Sequence, residues 1–395
     1  MCRRKVGKRG EVRLLGSEPV MRAVSLTIFF SIGSAAVLML ATSAMAEPPR
    51  IEKDGTIHVP AFDLPESSFL SGETRTALRR IRELSNTWAA SFESCPSMEG
   101  ADRIDIPEIR KCQADAFYEM PFYKSIRDRY DVSVNPQPIG GVYTEVFTPM
   151  GAVAPNNKSR VLVNVHGGGF TAGSRINSHL ESIPIASVGK IKVISIDYRM
   201  APEYTFPAAS EDVAAVYREL LKTYQAKNIG VYGCSAGGAL TAQSIAWLQQ
   251  RKLPLPGAIG MFCYGADSAL DSEKVRWVRS EGAYVNGAIL GRDYEKMEAL
   301  NSYYNGVDRK TPLASPGDYD EIMAKFPPSL LISGTRDFIL SSVLVTHAQL
   351  VRLGVKADLH VWEGMPHTFL FFPELPESRE AYDVIVRFFD THLGK

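Results

Sequence analysis

Between Asn228 and Ile245 the chain reads as a short apolar strand, then Gly233-Cys234-Ser235-Ala236-Gly237, then a helix-like stretch from Gly238. A glycine-flanked serine between strand and helix narrows the choice of fold sharply. The chain must turn so tightly at the serine that bulky neighbours would clash, and glycines let strand and helix pack closely. The turn lifts the hydroxyl above a sheet and leaves it at a helix N-terminus, where unpaired N–H groups favour negative charge. G-x-S-x-G alone is a common arrangement of small residues. The strand–turn–helix order around it points to a nucleophile elbow.

A second motif lies upstream. The strand-like run Arg160–Val165 ends in His166-Gly167-Gly168-Gly169-Phe170. Three successive glycines cost conformational entropy and suit a place where backbone closely approaches a ligand. Donors for a developing oxyanion must lie about 3 Å from it. Gly167, Gly168 and Gly169 are candidates, together with the N–H of Ala236, the residue after the serine. His166 precedes the glycines at a strand end and reads as a scaffold for the loop rather than as a base.

A serine hydroxyl needs a base, and the base needs an orienting carboxylate. In chain order these follow as serine, acid, histidine. Of the seven histidines, His347, His360, His367 and His392 follow Ser235. His360 alternates within a strand, His347 sits in a helical stretch and His392 in the tail. His367 lies in a Gly/Pro-containing loop after the strand pattern 356–361, where a base would hang over the elbow. Asp337 ends the preceding strand pattern, and Phe338-Ile339-Leu340 would shield its carboxylate. Asp267 and Asp271 are the competing acids.

These motifs, with Asp197-Tyr198-Arg199-Met200-Ala201-Pro202-Glu203, resemble the hormone-sensitive-lipase-like branch of the α/β-hydrolases from about Gly140 onward. The resemblance implies a mostly parallel central sheet flanked by helices, with a helical cap. It implies that Ser235, Asp337 and His367 act as nucleophile, acid and base, and that the glycine run and Ala236 hold the oxyanion. It implies that Glu203 supports the elbow. Where that family usually has Asp before the serine, this chain has Cys234. The expected activity is hydrolysis of short-acyl carboxylic esters, small molecules, without a cofactor. An amidase or polysaccharide deacetylase would use the same machinery. A non-catalytic binding protein on this scaffold would usually lack the base.

The remaining organisation follows from pattern. Alternating strand and helix patterns suit helices on both faces of a sheet. One helix is expected from an N-cap at Ser210, burying Val213, Val216 and Leu220. The last is expected from about Pro376, burying Tyr382, Ile385 or Val386, and Phe389. Residues 1–46 read as a leader, 47–139 as an N-terminal helical cap segment and 140–395 as the catalytic domain. Residues 270–325 read as a cap insertion, whose Trp277, Tyr284, Tyr303 and Tyr304 are core or pocket aromatics.

Ala23 to Ala46 carries no charge and ends Ala44-Met45-Ala46, which predicts a cleaved secretory signal, with an uncleaved anchor as the alternative. Met21-Arg22 plus the apolar run makes a compact signal by itself, so Met21 is a candidate start. An exported, periplasmic or secreted protein follows, touching membrane only in transit. Export permits disulfides, and Cys95 with Cys112 is the candidate pair. The whole chain has 44 basic and 44 acidic residues, of which the leader holds seven basic and two acidic. The rest is mildly acidic, which gives no reason to expect a nucleic-acid partner. No C-x-x-C pair or histidine cluster suggests a metal.

Overall fold

Alternation along the strands gives a sheet with two apolar faces. Val161, Val163 and Val165 enter one buried cluster with Ile229 and Val231, while Leu162, Tyr232 and Cys234 enter the other. Successive side chains of a strand point to opposite faces, so a strand covered on both sides reads as a continuous apolar run. The computed structural model describes residues 49–60, 63–96, 106–266 and 302–394. The expected leader, the candidate start at Met21, Asp267, Asp271, Trp277 and Tyr284 lie outside the described residues.

A small unit ending at Leu64 contains a hairpin of Arg50–Ile51 (β1) and Ile57–His58 (β2). The larger unit runs from Pro65 to Lys395. It opens with helices Gly72–Ser91 (α1), Ile106–Glu119 (α2) and Pro121–Arg129 (α3). Ser71 Oγ accepts the Thr74 N–H at 3.0 Å and so caps α1.

The sheet strands are Val132–Pro136 (β3), Thr144–Pro149 (β4), Val161–Val165 (β5), Val193–Ile196 (β6), Ile229–Cys234 (β7), Ala258–Phe262 (β8), Ser329–Arg336 (β9) and Ala357–Pro366 (β10). Their order is β10-β9-β8-β7-β5-β6-β4-β3, parallel from β10 to β6 and antiparallel at β4 and β3. The sheet therefore begins at Val132, before the boundary expected at Gly140, because β3 pairs with β4 along its whole length.

Helices Asn177–Gly189 (α4), Ala208–Leu220 (α5), Ala236–Gln250 (α6), Asp320–Met323 (α7), Leu340–Arg352 (α8) and Pro376–His392 (α9) follow. Leu180 and Ile183 of α4, Ile385 and Phe389 of α9 and Phe122 and Ile126 of α3 pack on the Leu162 face. Val213 and Val216 of α5, Leu240 and Ile245 of α6 and Val343 and Leu350 of α8 pack on the other. On α9 it is Ile385, not Val386, that is fully buried. The helix expected from Ser210 begins earlier, at Ala208, with Pro207 before it and Ser210 buried inside. Proline suits a helix start, so the ring sets that boundary.

Within the expected insertion, two of the aromatics fall among the described residues, and both are core. Tyr303 and Tyr304 are buried, and the Tyr303 ring stacks on Phe170 at 4.6 Å. Among the described residues no helix is long and apolar enough to cross a membrane.

Cys95 and Cys112 form a disulfide that ties the end of α1 to α2 across a sequence separation of 17. Closing a loop of that size stabilises the chain by about 3 kcal/mol in the chain-entropy picture. Denaturant unfolding should therefore show Cys112→Ser to be less stable by about 3 kcal/mol under oxidising conditions. With reductant present, that difference should vanish.

Candidate active site

Three loops meet at the carboxyl ends of β7, β9 and β10. Ser235 follows β7 and adopts φ 57° and ψ −126°. Few residues with a side chain adopt such a backbone, and surrounding contacts must hold it. Here the Ser235 N–H donates to the Phe262 carbonyl at 2.8 Å, and the Gly238 N–H donates to the Ser235 carbonyl at 2.8 Å. A Cβ at Gly233 or Gly237 would overlap the Val165 carbonyl oxygen. That is the physical reason for the glycines in the motif.

His367 follows β10, and Asp337 follows β9. The His367 Nε2 lies 2.9 Å from Ser235 Oγ, and Nδ1 lies 2.8 Å from Asp337 Oδ1. Asp337 is fully buried, and its Oδ1 also accepts the Ile339 N–H at 2.9 Å. Its Oδ2 accepts the Ser333 hydroxyl at 2.9 Å. With the carboxylate on its Nδ1 side, the ring carries its proton there and turns the Nε2 lone pair to Ser235. Phe338 packs against the His367 ring at 4.5 Å between centroids, and Phe338 and Ile339 are buried. His367 keeps 14% side-chain exposure.

The glycine loop after β5 runs beside the elbow. Among the described residues, the N–H groups of Gly168, Gly169 and Ala236 have no protein acceptor. Gly167 differs from expectation. Its N–H donates to Glu181 Oε1 at 2.8 Å, which removes it from the available donors. Gly168 has φ 123°, and a Cβ there would overlap the Ala172 carbonyl, so only glycine fits.

His166 is wholly buried, its Nδ1–H donating to the Gly167 carbonyl at 2.8 Å. Its ring stacks on Tyr198 at 4.4 Å, and the Tyr198 hydroxyl donates to the His166 carbonyl at 2.7 Å. Burial lowers the His166 pKa, consistent with a neutral scaffold ring.

Glu203 is not the carboxylate behind the elbow. It accepts two hydrogen bonds from Arg110 of α2, at 2.7 and 3.0 Å. Arg110 also donates to the carbonyls of Ala201 and Thr171, at 2.5 and 3.1 Å. Glu203 thus orients an arginine that pins the far side of the glycine loop. The cause is reach: Glu203 lies in the outward turn after Pro202, facing α2.

Glu181 of α4 takes the role expected of Glu203. One buried carboxylate accepts the Gly167 N–H on Oε1, and the Asn164 amide (2.8 Å) and Cys234 N–H (3.2 Å) on Oε2. Burial pushes its pKa up from the ordinary carboxyl value, and the three donors pull it back. It joins the glycine loop to the residue before the nucleophile. Its sequence signal is slight: the one charged residue in the otherwise neutral Asn177–Gly189.

Comparisons with known proteins agree with this fold. A family model described as alpha/beta hydrolase fold matches residues 162–371. An acetyl-hydrolase of Streptomyces hygroscopicus is 29% identical over 239 residues, 60% of this chain and 77% of that protein. The crystal structure of an esterase superposes with a TM-score of 0.68 at 31% identity, covering 85% of this chain and 99% of the other. An esterase from the bacterial hormone-sensitive lipase family superposes with a TM-score of 0.66 at 28% identity, covering 82% of this chain and 99% of that one. The chain belongs to the α/β-hydrolase family, in the branch of the hormone-sensitive-lipase-like esterases.

Proposed function

We propose that this chain is an exported serine carboxylic-ester hydrolase that acts on short-acyl esters through an acyl-enzyme. The observation that carries the chemistry is the 2.9 Å contact of Ser235 Oγ with His367 Nε2, backed by the 2.8 Å contact of Nδ1 with Asp337. Ser235 Oγ attacks the ester carbonyl carbon, and its proton passes to Nε2. The carbonyl oxygen takes the negative charge and is held by the N–H groups of Gly168, Gly169 and Ala236. His367 then gives its proton to the departing alkoxide, and the C–O bond breaks. Water repeats the sequence on the acyl-enzyme, returning serine and releasing the acid. Asp337 stays ionised and stabilises the imidazolium. Each oxyanion donor is worth on the order of 10²–10³ in rate.

The short-acyl preference rests on the resemblance and on the relative named acetyl-hydrolase. Its test is a series of p-nitrophenyl esters of rising chain length. The highest kcat/KM is expected at acetate to butyrate, and a maximum on long-chain emulsions would overturn it. The proposal of export rests on the uncharged run ending Ala44-Met45-Ala46. N-terminal sequencing of the native protein should begin at Glu47.

A further inference from the structure

Two cysteines lie directly behind the elbow, and ester chemistry uses neither. Cys234 ends β7, and Cys263 follows β8 with a left-handed φ of 54°. Both are fully buried, and neither is in a disulfide. Parallel pairing sets Cys234 opposite Phe262, so Cys263 emerges just past it, under the loops of the acid and base. The Cys263 sulfur neighbours the Cys234 thiol, the Thr368 N–H and the Asp337 carboxylate. One donor atom each from Cys263, Asp337 and His367 lies within 4.8 Å of the other two. The Cys263 sulfur and His367 Nδ1 thus both lie beside one buried carboxylate.

We propose that Cys263 Sγ, the Asp337 carboxylate and His367 Nδ1 form an inhibitory site for a thiophilic divalent cation, with Zn²⁺ as its best match. One thiolate, one imidazole and one carboxylate suit a borderline metal, whereas the hard cations Mg²⁺ and Ca²⁺ prefer all-oxygen sites. Tetrahedral zinc holds sulfur at about 2.3 Å and nitrogen or oxygen at about 2.0–2.2 Å, which spaces its ligands by about 3.3–3.6 Å. His367 Nδ1 and Asp337 Oδ1, 2.8 Å apart, must part by roughly half an ångström to reach that spacing. Burial raises the pKa of the Cys263 thiol, so the ion must displace its proton on binding. The ion enters past His367, the member of the set that retains exposure. The fourth position is left to water.

Binding changes the protonation pattern in a balanced way. The Cys263 thiol proton goes to solvent. The ring proton leaves Nδ1 for the metal to bind there, and Nε2 takes up one proton, so the imidazole stays neutral with its tautomer reversed. One proton is released per ion. His367 Nε2–H now donates to Ser235 Oγ and no longer accepts its proton, so the serine is not activated. The inhibitory consequence rests on the proposed serine mechanism, but the binding does not.

Two experiments separate them. Co²⁺ added to the Ser235→Ala protein should give a near-ultraviolet thiolate-to-cobalt charge-transfer band that Zn²⁺ displaces and that is lost when Cys263→Ser is added. Absence of the band, or its survival in Cys263→Ser, would overturn the site. Zn²⁺ should also inhibit p-nitrophenyl acetate hydrolysis by the otherwise unaltered protein, reversibly with EDTA. In Cys263→Ala and Cys263→Ser, half-inhibition should need at least about tenfold more Zn²⁺, each variant being read against its own metal-free rate. Equal half-inhibition in all three proteins would overturn the inference. If the metal-free protein hydrolyses no ester, the serine mechanism fails, and the cobalt band alone decides the metal site.

Discussion

Ser235→Ala is expected to lower kcat for p-nitrophenyl acetate by on the order of 10⁶, with little change in KM. His367→Ala should cost about as much, and the double variant hardly more. The two side chains act as one unit, since the hydroxyl is a weak nucleophile without the base and the base has nothing to activate without the hydroxyl. The distance of 2.9 Å between Oγ and Nε2 is that of a hydrogen bond already formed, so no rearrangement need precede proton transfer. The residue of catalysis left in each variant would come from the N–H groups of Gly168, Gly169 and Ala236. Additive losses in the double variant would contradict a shared step.

Glu181→Gln is expected to lower kcat by on the order of 10² while KM stays within a few-fold. Glu181 touches no substrate. It positions Gly167 with one oxygen and Asn164 and Cys234 with the other. Glutamine has only one carbonyl oxygen. Whichever way it turns, its amide N–H₂ meets an N–H donor, and one side of the clamp opens. The glycine loop and the elbow then lose their common register, and the oxyanion donors shift from where charge develops. Orphaned buried donors also cost about 1–3 kcal/mol each, so unfolding should come at lower denaturant. A purely structural role would lower stability and leave kcat of the folded protein unchanged. Glu181→Gln with undiminished kcat would therefore remove Glu181 from the catalytic arrangement.

The parts of the site written in local pattern could be read from the sequence. Ser235 and His166–Phe170 each sit where a strand ends, and the glycines are demanded by steric contacts that any elbow of this kind must satisfy. Asp337 and His367 were legible because each follows a strand pattern in the required chain order. Glu181 and Arg110 were not, because they act across 14 to 93 residues of sequence, through contacts that exist only once α4 and α2 dock. Glu203 misled for the related reason that a charged residue in a loop does not state which way it faces. The helix start at Ala208 and the sheet start at Val132 show the same limit. Pro207 and the β3–β4 pairing set those boundaries, and an N-cap pattern carries less force than a proline ring.

The most direct test of the central claim is to treat the folded protein with a fluorophosphonate and map the adduct by peptide mass spectrometry. A single phosphonyl group on Ser235, absent from Ser235→Ala and strongly slowed in His367→Ala, is the predicted result. No adduct on Ser235 in protein shown to be folded would contradict the account.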